Sequence, residues 1–289
     1  MSASKPQVHP HPYSGRVIVL TTKHEKLSLI APILEAELDL KVVLHEGDTD
    51  QYGAFTGEIE RTLSPREAAI AKAKLGMSAL GASLGIASEG SIGPDPDMPF
   101  SRSDIEYIAL VDLDRDLEIV ERYRSLQITA GETVTEPGFD ISSFLAKVDF
   151  PKHKLIAKPN DAEGAKSIKG IGAVSDLEKA IIDLSAQSRD KKVLLQSDLR
   201  AHCSPSRQKN IIQATRLLAR RVKALCPSCE NPGFGITKYE RGLDCYECGE
   251  WVSTAPKFLI SACVKCSFEK RGEQLAMHAD PSNCNGCNP

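Results

Sequence analysis

The sequence predicts an α/β fold: a mixed or largely parallel sheet with flanking helices, followed by a small domain held by cysteines. Three observations lead there. Apolar, β-branched runs alternate with helix-like stretches over the first part of the chain, the order of βαβ units. A helix rich in Lys and Arg then follows Ser204-Pro205. After it come eight of the nine cysteines, all in Cys-x-x-Cys pairs. The division expected is 1–14 as a flexible arm, 15–203 as the α/β domain, 204–225 as a connecting basic helix and 226–289 as a cysteine domain.

The elements follow in order. Arg16–Leu20 (RVIVL) reads as a buried strand, and Leu27 to Leu38 as a helix that Pro32 splits or kinks. Leu40–Leu44 is a second strand, and Gly47–Gly57 a turn-rich loop. Ser64-Pro65-Arg66-Glu67 starts a helix over about 65–80: Ser64 caps, Pro65 fills the first turn, and Glu67 closes a capping box. Leu84–Ala87 is a third strand that ends in Ser88-Glu89-Gly90-Ser91 and a loop. Glu106–Asp112 and Ser125–Val134 read as further strands, Asp176–Ser185 as a helix, and Val193–Leu195 as a buried strand delivering Asp198 at its end. In the last long helix Ile211, Ala214, Leu218, Val222 and Leu225 form an apolar stripe capped at Ser204. Its cations, Arg207 to Lys223, read as a solvated face, or as one that binds an anion or a neighbouring domain.

The cysteine pairs carry the strongest chemistry. Cys226 and Cys229 precede Cys245 and Cys248 by fifteen residues, and Cys263 and Cys266 precede Cys284 and Cys287 by seventeen. Two-residue spacers let both thiolates of a knuckle face one ion, so two structural, four-thiolate zinc sites in a zinc-ribbon-like domain are expected. Consecutive pairs make the simplest sites; an arrangement of first with third and second with fourth stays open. Four thiolates close the shell, which excludes a catalytic role for these zincs.

Composition limits the rest. At 41% hydrophobic and 26% charged residues the chain is an ordinary globular one, and no run approaches the roughly 20 apolar residues of a membrane span. A polar, Pro-rich start and cysteines arranged as metal sites, not as a disulfide framework, point to the cytoplasm. Residues 200–289 carry 13 Lys and Arg against 8 Asp and Glu. Two zinc sites of four thiolates would cancel nearly all of that excess, so the basic tail argues only weakly for nucleic acid.

Polar residues cluster at the expected strand ends: Thr21 to Lys26, Ser88 to Ser91, Asp112, and Asp198 to His202. Sites in parallel sheets lie outside the carboxyl ends of the strands. Glu89, Asp112 and Asp198 are therefore candidates to hold Mg or Mn or to activate water. Thr21, Lys26 and Arg200 would bind phosphate, and His202 would act as acid or base. The expected ligand is a phosphorylated small molecule or nucleotide and the reaction its hydrolysis. The alternative is a nucleic-acid- or protein-binding module that uses the zinc tail and the basic helix.

Two resemblances bear on this. GIASEGSIGPDPDMPF, SDLRAHCSPSR, ARRVKALCPSCENPGFG and GLDCYECG resemble an uncharacterised bacterial domain-of-unknown-function family, from Arg16 to the C-terminus. That resemblance implies a zinc-ribbon tail. Residues 16–91 are similar to inosine/xanthosine triphosphate pyrophosphatases, whose first strand ends in a Ser/Thr-x-Asn-x-x-Lys loop. Thr21 and Lys26 match it, and Lys23 stands where Asn is expected. An Ala/Lys-rich helix like Ala68–Lys74 follows, then a metal-binding acid before glycine, as at Glu89-Gly90. This similarity implies a metal-dependent pyrophosphatase.

Overall fold

The computed structural model describes residues 10–52, 62–98, 100–161 and 166–289. Residues 15–203, read as one α/β unit, build two sheets. The first opens with β1 (Val17–Thr21), α1 (Leu27–Leu38) and β2 (Lys41–His45), continues through α2 (Pro65–Leu80), and closes with β3 (Leu84–Pro94), β4 (Arg102–Asp112) and β5 (Leu117–Ser125). Its strand order is β2-β1-β3-β4-β5. β1 is parallel to β2 and β3, while β4 and β5 are antiparallel additions, so the sheet is mixed.

Local chemistry explains these elements. Ser64 Oγ accepts from the Glu67 N–H and the Glu67 carboxylate accepts from the Ser64 N–H, the reciprocal cap expected from sequence. α1 runs through Pro32 as one helix, although Pro32, in its second turn, has no N–H for an intrahelical bond. On one face of the sheet, Ile18, Leu20, Ile86, Ile108 and Leu110 pack beneath α1 and a later helix. On the other, Ala69, Ala73 and Met77 of α2 pack on Ala87, Ala109 and Val111.

A second sheet follows: β6 (Glu132–Thr135), α3 (Ser142–Lys147), β7 (Leu155–Pro159), β8 (Ile168–Ile171), α4 (Val174–Ser185) and β9 (Val193–Ser197). Its order is β6-β9-β7-β8, all antiparallel. α4 turns Leu177, Ile181 and Leu184 onto one face, against Leu155, Ala157 and Leu195. α5 (Pro205–Lys223) then returns to the first sheet and packs on α1, β4 and β5. The ribbon of β10 (Gly235–Asp244), β11 (Trp251–Ala262) and β12 (Glu269–Gln274) ends the chain. Among the described residues no helix is long and apolar enough to cross a membrane.

Several sequence expectations need correction. Ser125–Val134 is not one strand: β5 ends at Ser125 and β6 begins at Glu132 in the other sheet. β3 does not stop at Ala87 but runs to Pro94, paired throughout with β4. Ser204 occupies the N-cap position of α5 without a side-chain cap; the Ser206 N–H donates instead to His153 Nε2 at 3.2 Å. The flexible arm must end before Tyr13, which is fully buried, and His11 Nε2 bonds the Val222 carbonyl at 3.1 Å. Residues 1–9 of that arm and 53–57 of the Gly47–Gly57 loop lie outside the described residues.

Candidate functional site

The strand order reverses at β1. The α1 crossover leads from β1 to β2 on one side, and the α2 crossover leads back across to β3 on the other. Their helices cover opposite faces, so a crevice opens at the carboxyl ends of β1 and β3, the position where such sheets bind ligands. The register sharpens it. β1 stops at Thr21, paired with Ala87, while β3 continues through Ser88, Glu89 and Gly90. β3 therefore overhangs its neighbour, and the notch is walled by α2 on one face and by α1 and α5 on the other.

Charge fills this notch. Thr21, Lys26, Asp50, Lys72, Glu89 and Arg207 line one small cavity there. Lys26 immediately precedes α1 and is buried; its amine donates to the Ser88 carbonyl at 3.2 Å and to Ser88 Oγ at 2.9 Å. Burial pulls the Lys26 amine down to about 8, with Glu106 and Glu89 opposing that shift and Arg207 adding to it. Lys72 of α2 pairs with the buried Glu89 carboxylate. From the other side Arg207, in the first turns of α5, bonds Glu106 Oε1 at 2.7 Å and the Leu199 carbonyl. Gly90 is required here: a Cβ would strike the Arg207 guanidinium and the Glu106 carboxylate.

Behind Arg207 lies a second buried acid. Asp104 accepts from Asn210 Nδ2 at 2.7 Å, and burial beside Glu106 pushes its carboxyl up to about 7. The rim carries two imidazoles, His24 and His202, with ring centroids 5.6 Å apart. Burial and nearby Lys26 lower His24 to about 4, and burial likewise lowers His202. Both rings are therefore neutral near pH 7.

The structure brings together only some of the residues singled out in the sequence. Thr21, Lys26 and Glu89 line the cavity, and His202 reaches its rim through His24. Asp112 does not: β4 runs antiparallel to β3 and pairs Asp112 with Leu84, at the opposite end of the sheet. There it binds Arg115 at 3.2 Å and the Asp114 and Arg115 N–H groups. Asp198 belongs to the second sheet and is engaged by Arg200 through Nε at 2.9 Å, Nη2 at 2.5 Å and by the Gly170 N–H at 3.0 Å. Neither Asp198 nor Arg200 lines the cavity. Lys72, Glu106 and Asp104 were not singled out, and Arg207 only as one of the α5 cations that could bind an anion. The signal for two of them was parity: Asp104 and Glu106 alternate with Ile105 and share a face with the buried Ile108. Arg207 lies four residues before Ile211, on the apolar stripe of α5.

The cysteines gather into two tetrads, Cys226, Cys229, Cys263 and Cys266, and Cys245, Cys248, Cys284 and Cys287. Within the first, Sγ···Sγ separations are 3.8 and 3.6 Å; the second repeats these values. Four thiolates at 2.3 Å from a tetrahedral ion stand about 3.8 Å apart, so both tetrads fit zinc. The pairing is first with third and second with fourth, not consecutive. The cause is the β10–β11 hairpin, whose register joins Gly235 to Ala262 and Asp244 to Trp251. The knuckle before β10 thus meets the one after β11. The knuckle in the hairpin turn lies roughly 30 Å away and meets the C-terminus. In the first tetrad the backbone and side-chain N–H groups of Asn231 hold the Cys229 thiol down at about 6.

This first tetrad is joined to the site through α5. Val264, inside the knuckle, packs on the main core, Lys265 Nζ bonds Asp116 Oδ2 at 3.1 Å, and Arg221 links Glu121 at 2.8 Å to the Gly233 carbonyl at 3.0 Å. α5 then spans about 24 Å from its last residue, Lys223, beside that anchor, to Arg207.

Comparison with curated proteins finds no match to this chain. A family match covers residues 72–289, from the lysine that pairs with Glu89 through both cysteine tetrads. The chain belongs to the family described as Domain of unknown function (DUF6671).

Proposed function

We propose that the notch beyond β1 binds the phosphate of a nucleotide or other phosphorylated small molecule and hydrolyses it with Mg or Mn. The observation that carries this reading is the convergence of Lys26, Lys72 and Arg207 on one small cavity at the strand-order reversal. Lys72 and Arg207 are matched by Glu89 and Glu106, whereas buried Lys26 donates to Ser88 and forms no ion pair among the described residues, and buried charge is costly unless matched. A phosphoryl group would supply negative charge to Lys26 and draw on Lys72 and Arg207.

Oxygen donors suit the metal by type. The cavity offers the Glu89 and Asp50 carboxylates and the Thr21, Thr22 and Thr49 hydroxyls. Mg binds one or two carboxylates and takes its remaining oxygens from water and phosphate. Bound there, it would polarise the phosphoryl group and a water. Glu89 would hold it on exchanging Lys72, and the released Lys72 would turn its amine to the phosphate. Lys26 and Arg207 are fixed in advance, which suits them to stabilise charge that develops during transfer. His24 and His202, neutral at the rim, are placed to accept a proton.

Three of the six cations of α5 are engaged within the fold, which favours this reading over a nucleic-acid face on that helix. Arg207 is buried, Arg221 is held by Glu121, and Lys223 bonds Glu37 at 3.0 Å. The test is a screen of the zinc-loaded protein with Mg or Mn against nucleoside triphosphates and small phosphate esters. Release of phosphate or pyrophosphate is expected, reduced at least 100-fold by Glu89→Gln. Turnover that survives both Glu89→Gln and Lys72→Met would overturn the assignment.

A further inference from the structure

We infer that a second site, separate from the notch, binds single-stranded nucleic acid in the cleft between the two sheets. α4 and α3 cover one face of the β6-β9-β7-β8 sheet, and its other face is open toward the extended end of the β3–β5 hairpins. The cleft between them holds about 950 Å³. That is room for several nucleotide units, far beyond the small notch where the phosphoryl site lies.

The register places the residues of its floor. Glu132 pairs with Gln196, which pairs with Ile156, so three adjacent strands present one row of side chains. Lys158 lies two residues farther along β7, on the same face, and Lys169 lies on β8 between the partners of Ala157 and Leu155. Strands stand about 4.8 Å apart, so this face offers polar and apolar groups over some 14 Å. The opposing wall carries Arg102, and α3 contributes Lys147. Among the described residues that line the cleft, Arg102, Lys147 and Lys158 stand beside one carboxylate, Glu132, which already accepts from Gln196 at 2.9 Å. Among the described residues Arg102, Lys147 and Lys158 form no ion pair, unlike Arg207, Arg221 and Lys223 of α5.

Distribution separates this cleft from a site for one phosphoryl group. In the notch the charges converge on a closed point; here they are spread along two walls of an open groove, as a chain of phosphodiesters requires. A stacking surface is present too. Phe100 at the rim is 105% exposed, so its ring is free on both faces. Close to it, the Asp95 N–H bonds the Ser101 carbonyl at 2.9 Å, and the Asp95 carboxylate takes two bonds of 2.5 Å from Arg124. An exposed aromatic beside a cationic groove stacks bases with little sequence preference. Ile156 and Leu199 add apolar surface for ribose and base faces.

The test uses the full zinc-loaded chain with fluorescently labelled oligo-dT and oligo-U, read by anisotropy across a salt series. Binding should weaken steeply with salt. Lys147→Glu with Lys158→Glu should weaken it tenfold or more and reduce the log–log salt slope by about 1.4, the share of two phosphate contacts. Phe100→Ala should cost about fivefold or more without changing the slope. Arg216→Glu with Arg220→Glu, on the exposed side of α5, should leave binding unchanged. All these positions are on the surface, and far-UV circular dichroism with zinc content checks that each variant is folded. Absence of binding at low salt, binding indifferent to the cleft variants, or equal binding of polyglutamate would each overturn the proposal.

Discussion

Arg207 and Glu106, 101 residues apart, meet through Nε and Oε1 at 2.7 Å with both side chains buried. This pair ties the first turns of α5 to the middle of β4 directly under Gly90. Removing the guanidinium alone leaves Glu106 and Asp104 adjacent and without their cation. Arg207→Met should therefore destabilise the protein by about 3–5 kcal/mol. Adding Glu106→Gln should recover much of that loss, because the remaining groups are then neutral. Urea melts of the two single variants and the double variant measure the coupling, and strict additivity would contradict it.

How much of this was readable in the sequence depends on the range of the interaction. Local signals were sufficient for the Ser64 cap, for the strands around Val19 and Leu195, and for the eight cysteines of the two tetrads, since each depends on neighbours within a few residues. Pairing of the cysteines was not local: spacers of fifteen and seventeen residues suit either arrangement, and the choice is made by the β10–β11 register. Asp112 was misplaced because a strand's end says nothing of its direction, and β4 proved antiparallel. Gaps in the chain order also hid the second sheet. β5 and β6 are separated by six residues with alternating character, which in a single sequence resemble one continuous strand. Periodicity marks Glu106 and Arg207 as inward-facing, but the ion pairs of Lys72 and Arg207 with Glu89 and Glu106 join four separate elements, and no pattern within one element announces the partner.

The two zinc sites should differ in what they stabilise. The first tetrad is packed on the core through Val264 and on β5 through Lys265 and Asp116, whereas the second closes the far end of the ribbon. Cys226→Ser with Cys263→Ser should lower the main melting transition by on the order of 10 °C. Cys245→Ser with Cys284→Ser should release one zinc and leave that transition within about 2 °C. Zinc counting by a chromogenic chelator, two per chain in the unaltered protein and one in each double variant, accompanies the calorimetry. Equal effects on the main transition would mean that the ribbon melts as one unit with the body.

Asp104 should be a cost to stability above neutral pH. Its carboxyl is raised from 3.8 to about 7, chiefly by burial and then by Glu106. The folded state thus holds this proton more tightly than the unfolded chain, so stability falls as pH rises through that window and the penalty is complete above it. Asp104→Asn keeps an acceptor for Asn210 and removes the charge. The variant should gain on the order of 1–3 kcal/mol near pH 8 and little near pH 4. Chemical denaturation at the two pH values decides it, and a gain independent of pH would point to packing instead of charge.

Lys26 gives the opposite slope and a link to ligand binding. Its amine is lowered from 10.5 to about 8 by burial, against the pull of Glu106 and Glu89. The unfolded chain binds this proton more tightly than the folded one. The cost to stability is therefore full below about 8 and disappears as pH rises toward 10.5. Lys26→Met should make the free protein more stable near pH 7, because it removes a charge held without solvent. The same charge is what a phosphate would use. Pyrophosphate affinity, measured by calorimetry with Mg present, should decline above pH 8 in the unaltered protein and fall at least tenfold in Lys26→Met. A flat pH profile together with unchanged affinity in the variant would show that the buried amine serves the fold and does not face the ligand.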